Sequence, residues 1–198
     1  MKTKLLVAAL AATALVPAAA QAQRVPAAIV AVVDTDQISQ TCTACRAASA
    51  TLQSQEATLR QRATALQQQL QTAGAPLEQQ VAALNGREPD AALRTRITAF
   101  QNQQRTAQQE LAQGQQRLQS TQANVNQQIS ARLQTIVASV SAARGANVTI
   151  ARGDVMYAAP SLDVTNEVLA QLNQQLPAVS VTPLPQTQQQ QRPQTQGR

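Results

Sequence analysis

The sequence contains no histidine, no tryptophan, one tyrosine, one phenylalanine and two cysteines among its 198 residues. The lack of histidine excludes Ser-His-Asp and Cys-His nucleophile systems, histidine-ligated zinc or haem, and an imidazole general base. Compact globular domains usually place aromatic side chains in their cores, so the near absence of aromatics favours an elongated helical protein with an aliphatic core. We therefore expect no catalytic residue, no cofactor and no metal.

Residues 1–22 have the pattern of a secretory signal peptide. Met1–Lys4 is positively charged, Leu5–Leu15 is apolar, and Ala20–Ala22 forms a small-x-small cleavage site. The apolar run is shorter than the roughly 20 residues that a membrane span requires. We expect cleavage before Gln23 and a soluble, exported mature chain.

The charge of the mature chain is mild and comes from arginine alone. Both lysines lie in the leader, which leaves 14 arginines against 10 acidic residues, a formal charge of +4. Such a balance usually belongs to a solvated helix face, although it also makes an anionic membrane surface a candidate partner. With no basic cluster and no aromatic stacking surface, the sequence does not predict binding to nucleic acid.

Residues 23–35, at the start of the mature chain, are predicted to hold the first strand of a small β body, with a helix directly after it. Ala28–Val33 is a continuous apolar, β-branched run that is typical of a buried strand. Asp34 and Asp36 after it are candidate N-cap residues, so a helix should begin there.

The segment 36–145 is predicted to form a long antiparallel helical hairpin. Its apolar residues recur at spacings of three, four or seven, which is the seam of a coiled coil. A kink or break is expected near 74–76, where Pro76 interrupts the first helix, and the chain should reverse near 85–90. The seam residues are Ile38, Leu52, Leu59, Leu66, Leu70, Leu93, Ile97, Phe100, Leu111, Leu118 and Val125.

Residues 146–176 return to a strand-like pattern. Asn147–Ala151 and Val155–Ala158, on either side of Arg152–Asp154, predict a β-hairpin, and a short helix follows Asp163. The predicted fold is α+β but mostly α, with a small β body of about three strands and a C-terminal helix joined to the hairpin. A body of this size buries too little apolar surface to be stable alone, so we expect it to oligomerise. The Gln/Pro-rich tail, 177–198, is predicted to be disordered.

Cys42 and Cys45 form a C-x-x-C pair close to the start of the first long helix. The pair could form a structural disulfide within or between chains, or remain as buried thiols, since both positions fall on the helical seam. An oxidoreductase is disfavoured because no thioredoxin-like βαβ pattern surrounds the pair.

The order of these elements resembles the Skp (OmpH-like) family of periplasmic chaperones. The similarity spans about residues 28–176, and its specific part is the order strand, helical hairpin, strand pair and terminal helix. The residues that carry it are Ile29–Asp34, Asn147–Ile150, Tyr157 and Asp163–Leu169.

The resemblance implies a homotrimer with a β body at one end and three helical arms around a cavity. It further implies an ATP-independent holdase that binds unfolded outer-membrane β-barrel proteins and prevents their aggregation. A structural coiled-coil adaptor in the cell envelope is the alternative from a different functional class, and an enzyme using the cysteine pair is a third.

Overall fold

The computed structural model describes residues 26–185, which form a mostly helical chain with two short strands. The predicted signal peptide lies outside these residues. The elements in chain order are β1 (Val30–Val33), α1 (Thr35–Thr41), α2 (Thr43–Ala83), α3 (Ala91–Ala143), β2 (Val148–Ala151) and α4 (Thr165–Gln175).

The two strands pair in parallel, with Val30 opposite Val148 and Val33 opposite Ala151. Parallel strands need a long crossover connection, because the chain must return to the end at which the first strand began. The helices between them provide this connection, since α2 leads the chain away from the sheet and α3 brings it back. We call β1, α1, β2, residues 152–164 and α4 the body, and α2 with α3 the arm.

The predicted β-hairpin after the arm is wrong. Arg152–Asp154 forms a single 3-10 turn, and Val155–Ala158 is not a strand in the described chain. The second edge of β1 is occupied by one parallel bridge between Val32 and Asp163, with the Val164 N–H donating to the Val32 carbonyl at 2.9 Å. A short 3-10 turn at Pro160–Leu162 precedes this bridge. The chain therefore pairs with β1 at a single residue before α4 begins.

Helix α1 begins at the predicted cap, where the Asp34 carboxylate accepts a hydrogen bond from the Gln37 N–H at 2.7 Å. It ends after two turns, because Cys42 adopts an extended backbone with φ −61° and ψ 137°. The predicted first helix is therefore two helices. In contrast, α2 continues through Pro76 without a break.

The arm helices run antiparallel. Interhelical neighbours are Leu59 with Gly114 near the body and Gly74 with Phe100 further out. The connection between the helices includes Asn85 and Gly86, both at positive φ. Asp90 then caps α3 by accepting from the Leu93 N–H at 2.7 Å. At 1.5 Å per residue, α3 alone is about 80 Å long.

The hydrophobic core lies in the body, at the root of the arm. Ile38, Val168 and Leu172 are completely buried, and Ile136 and Val140 from the end of α3 pack with them. The ion pair between Arg144 and Glu167 joins the end of α3 to α4 at the surface. The body is thus a layer of helices on a two-stranded sheet, and α3 anchors the arm in it.

The expected disorder of the tail is wrong for its first nine residues. We call residues 177–185 the strap: Val179 packs on the body core, and residues 180–184 lie against the arm. Gln128 of α3 holds the strap by accepting from the Ser180 N–H at 2.9 Å and donating to the Ser180 carbonyl at 3.0 Å. Composition misled the prediction because these bonds go to the backbone rather than to side chains. Residues 186–198 lie outside the described chain.

Candidate functional site

The predicted seam residues lie between the arm helices or at the root of the arm. Ile38, at the root, is completely buried in the body core, and Leu66, Leu93 and Val125 are buried along the arm. The rest of the seam is half-buried, which is the exposure expected of two helices that have no third partner in the monomer. These half-buried residues are Leu52, Leu59, Leu70, Ile97, Phe100, Leu111 and Leu118.

Two glycines allow the arm helices to approach closely. A Cβ atom on Gly114 would lie 2.5 Å from Leu59 Cδ1, and one on Gly74 would lie 2.9 Å from Phe100 Cζ. Both distances are below normal van der Waals contact. Glycine at these positions therefore lets a large side chain of the opposite helix rest directly on the helix backbone.

An open groove of about 620 Å³ runs between α2 and α3 in the outer part of the arm. Its apolar side chains are interrupted by glutamine amides, which are uncharged and can both donate and accept hydrogen bonds. We call this the arm groove. Its leucine and phenylalanine residues are Leu66, Leu70, Phe100 and Leu111, and its glutamines are Gln67, Gln71, Gln104 and Gln108.

A second cavity, of about 520 Å³, lies nearer the body and is partly roofed by the strap. Leu59, Gly114 and Leu118 contribute from the helices, and Val181 and Pro183 from the strap. The two cavities succeed each other along the same arm and share Leu111. The interhelical surface is therefore partly covered near the body and open further out.

One ion pair spans the two helices beside these cavities. Arg62 donates two hydrogen bonds to the Glu110 carboxylate, at 2.6 and 2.9 Å. The hydrogen bond from Arg62 lowers the pKa of Glu110, and its charge acts in the same direction. Within residues 26–185, Arg94, Arg105 and Arg132 of α3 form no salt bridge, so they leave positive charge along the exposed arm.

Cys42 and Cys45 are joined by a disulfide within the chain, with their Cα atoms 5.2 Å apart. Both are buried in the body core, and Cys42 Sγ also accepts from the Cys45 N–H at 3.0 Å. The disulfide therefore constrains the backbone at the junction between α1 and α2. Its burial keeps the sulfur atoms away from a protein substrate.

The body exposes apolar side chains that the monomer does not cover. Met156 is fully exposed and Tyr157 is 83% exposed, and Val148 and Leu162 are also exposed, as is Ile29 just before β1. Isolated apolar residues on a surface are ordinary, but several on a body this small indicate a surface for association.

Within the part of the chain that the structure describes, no cluster of three potential metal ligands exists. None of the helices in residues 26–185 combines the length and apolar character needed to cross a membrane.

The strap is the part of this site that was not predicted from the sequence. The usable signal was the alternation of apolar and polar residues in Val179–Thr182, just before Pro183, which an extended segment places on two faces. Its polar partners on α2 and α3 are glutamine, asparagine and serine, residue types that are frequent on this arm and carry no distinctive spacing.

Comparison with known proteins gives a family and a fold. The family model of outer membrane proteins of the OmpH-like type matches residues 29–172. A crystal structure of a proposed outer membrane chaperone (OmpH-like) from Caulobacter crescentus CB15 superposes with a TM-score of 0.64 at 20% sequence identity. The match covers 85% of this chain and 98% of that one. Among curated proteins, none matches the chain significantly.

Proposed function

The chain belongs to the OmpH-like family, and from this premise we propose that it is an ATP-independent periplasmic holdase that binds unfolded outer-membrane β-barrel proteins. The observation that carries the proposal is the arm groove, an open apolar surface of about 620 Å³ with glutamine amides among its side chains. Apolar contacts favour an unfolded segment without demanding a particular sequence. The amides can satisfy the segment's free backbone groups.

We propose that three copies assemble through the body. The apolar side chains of Met156 and Tyr157 would then be covered by neighbouring copies, and the three arms would enclose a shared cavity. Each contact with a client would be weak. Several arms acting on one chain raise the effective concentration of every further contact, so capture would be multivalent.

The test of this function is the fate of an outer-membrane β-barrel protein diluted out of urea. The purified mature chain should keep it soluble at about one trimer per client without nucleotide, as followed by light scattering. Because the mature charge is only about +4 per chain, added salt should weaken capture modestly rather than abolish it. A chain that binds folded and unfolded barrel equally would instead be the adaptor, and one that binds neither would refute the proposal.

A further inference from the structure

The strap is bound to the arm mainly through its own backbone. Besides the two bonds with Gln128, Asn124 donates to the Thr182 carbonyl at 2.9 Å and Gln55 donates to the Val181 carbonyl at 3.2 Å. The hydroxyl of Ser120 accepts from the Leu184 N–H at 2.9 Å. All five hydrogen bonds use backbone groups of the strap, so they do not depend on which side chains the strap carries.

The strap partners on α3 are evenly spaced. Ser180, Thr182 and Leu184 bond to positions 128, 124 and 120 respectively. Two extended residues advance about 6.6 Å, and four helical residues advance about 6 Å, so the strap runs alongside the helix axis with nearly matched repeats. Over positions 120–128, polar side chains at every fourth residue can therefore bind an extended chain at every second residue.

The prolines of the strap agree with this arrangement. Pro183 and Pro185 flank Leu184, and neither stands at a position whose N–H bonds to α3. Proline has no N–H, and its fixed φ favours the extended backbone. The strap thus loses no hydrogen bond where proline stands, and it loses less conformational entropy on binding.

We propose that this arm face is a sequence-independent binding site for extended polypeptide, and that the chain's own C-terminal segment is its resident occupant. The proposal rests on the proposed function, because it identifies the strap as a tethered competitor of the client. Residues 180–184 occupy this face beside the inner interhelical cavity, where a client would have to displace them.

The path of the segment supports this occupant. The strap leaves the body at Val179 and advances toward the arm tip, with Leu184 opposite Ser120. It lines the inner interhelical cavity with Val181 and Pro183, so it covers apolar surface that a client would otherwise contact.

A tethered occupant weakens binding of every competitor of the same face. Short tethers give effective concentrations of about 1 mM, so a segment that binds as a free peptide at about 0.1 mM would raise the apparent Kd of a client about tenfold. A client that binds several arms at once can still displace the strap, whereas a short or partly folded chain cannot. The strap would therefore set a threshold for capture.

The test compares the mature chain with a truncation after Val179, which keeps the core contact of that residue. A fluorescent peptide of residues 180–198 should bind the truncated chain and bind the full chain about tenfold more weakly, as measured by anisotropy. In the truncated chain, Gln128→Ala should weaken peptide binding severalfold, whereas Gln127→Ala, its exposed neighbour, should not. The truncated chain should also bind an unfolded β-barrel about tenfold more tightly.

Equal peptide binding to both chains, or none to either, would overturn the inference, as would unchanged client affinity after truncation. A strap that only stabilises the fold would lower the unfolding temperature on truncation without raising client affinity. If the peptide binds as expected but neither chain binds unfolded barrel, the arm face is still a polypeptide site, and the proposed holdase function is the claim that fails.

Discussion

At the residue scale, Gly114 determines how closely the two arm helices approach. Glycine in a helix interior costs about 1 kcal/mol relative to alanine, yet here it allows Leu59 to rest on the helix backbone. The contact stabilises the inner arm beside the strap cavity. The cost in helix propensity is therefore offset by packing.

Replacing Gly114 by valine should lower the free energy of unfolding by about 1–3 kcal/mol, because the new side chain overlaps Leu59 and forces the helices apart. Leu59→Ala in the same chain should recover part of this loss, so the double variant should be more stable than the sum of the two single effects. Urea denaturation followed by circular dichroism measures all three. Ala112→Val, on the exposed face of α3, is the control, and equal losses from valine at positions 112 and 114 would contradict the packing account.

In the body, the Asp163 carboxylate links the single-residue bridge on β1 to the start of α4. It accepts from the Thr165 N–H at 2.9 Å and from Arg152 at 3.1 Å. The Thr165 hydroxyl contributes most to lowering the pKa of Asp163, and the Thr165 N–H and Arg152 act in the same direction. The ionised carboxylate is therefore the form that stabilises the fold.

Because the pKa of Asp163 is lower in the folded chain, its contribution is present above the unfolded value of about 3.9 and is lost as the pH falls through the folded value. Asp163→Asn should lower the free energy of unfolding by about 1 kcal/mol at neutral pH. The difference from wild type should vanish once the pH is well below about 4. Asp154→Asn, at an exposed carboxylate nearby, is the control, and a difference that persists in acid would show that charge is not the cause.

At the scale of elements, patterns with a strong period were predictable and patterns that depend on tertiary partners were not. The seam from Leu52 to Val125 follows from heptad spacing, because burying one face is the main source of stability for long helices. The predicted strand at Val155–Ala158 is absent because the chain leaves β2 through the 3-10 turn at Arg152–Asp154 and returns to the sheet only at the Val32–Asp163 bridge. The strap could not be predicted because its bonds use the backbone.

The outer arm can be removed without changing the phase of the seam. The residue numbers of two interhelical neighbours, such as Gly74 and Phe100, add up to nearly the same value at every level of the arm. Deleting residues 70–83 and 91–104 together removes two heptads from each helix and keeps the turn and its Asp90 cap. The remaining seam should therefore pair as before.

This shortened chain should fold with the same body and lose most of its capture of unfolded β-barrel, because the deletion removes much of the arm groove. Circular dichroism and gel filtration would establish folding, and light scattering of the diluted barrel would measure capture. Full capture by a folded, shortened chain would mean that the groove is not the client site.

At the scale of the whole molecule, the body is small and exposes apolar residues while the arm extends far from it. A structure with this ratio of surface to core is expected to gain stability by association. The family match places the chain among OmpH-like proteins, and the body is the part of the described chain with exposed Met156 and Tyr157. The proposed association through the body would leave the arms free to bind clients.

Light scattering coupled to gel filtration should therefore return three times the mass of the mature chain. Tyr157→Asp should shift the assembly toward monomer, since a charge at an apolar interface would have to be desolvated. Gln109→Asp, on the exposed arm, should leave the mass unchanged. A wild-type chain that is folded and monomeric at micromolar concentration would contradict the proposed assembly.

The most direct test of the central claim is photo-crosslinking from a single position of the arm to a client. A crosslinker at Gln104 lies in the arm groove, and one at Gln109 lies on the exposed face of the same helix. With urea-diluted β-barrel protein, we predict strong crosslinks from position 104 and weak ones from position 109, and none from position 104 once the barrel is folded in detergent. Equal crosslinking from both positions, or crosslinking of the folded barrel from position 104, would contradict the account.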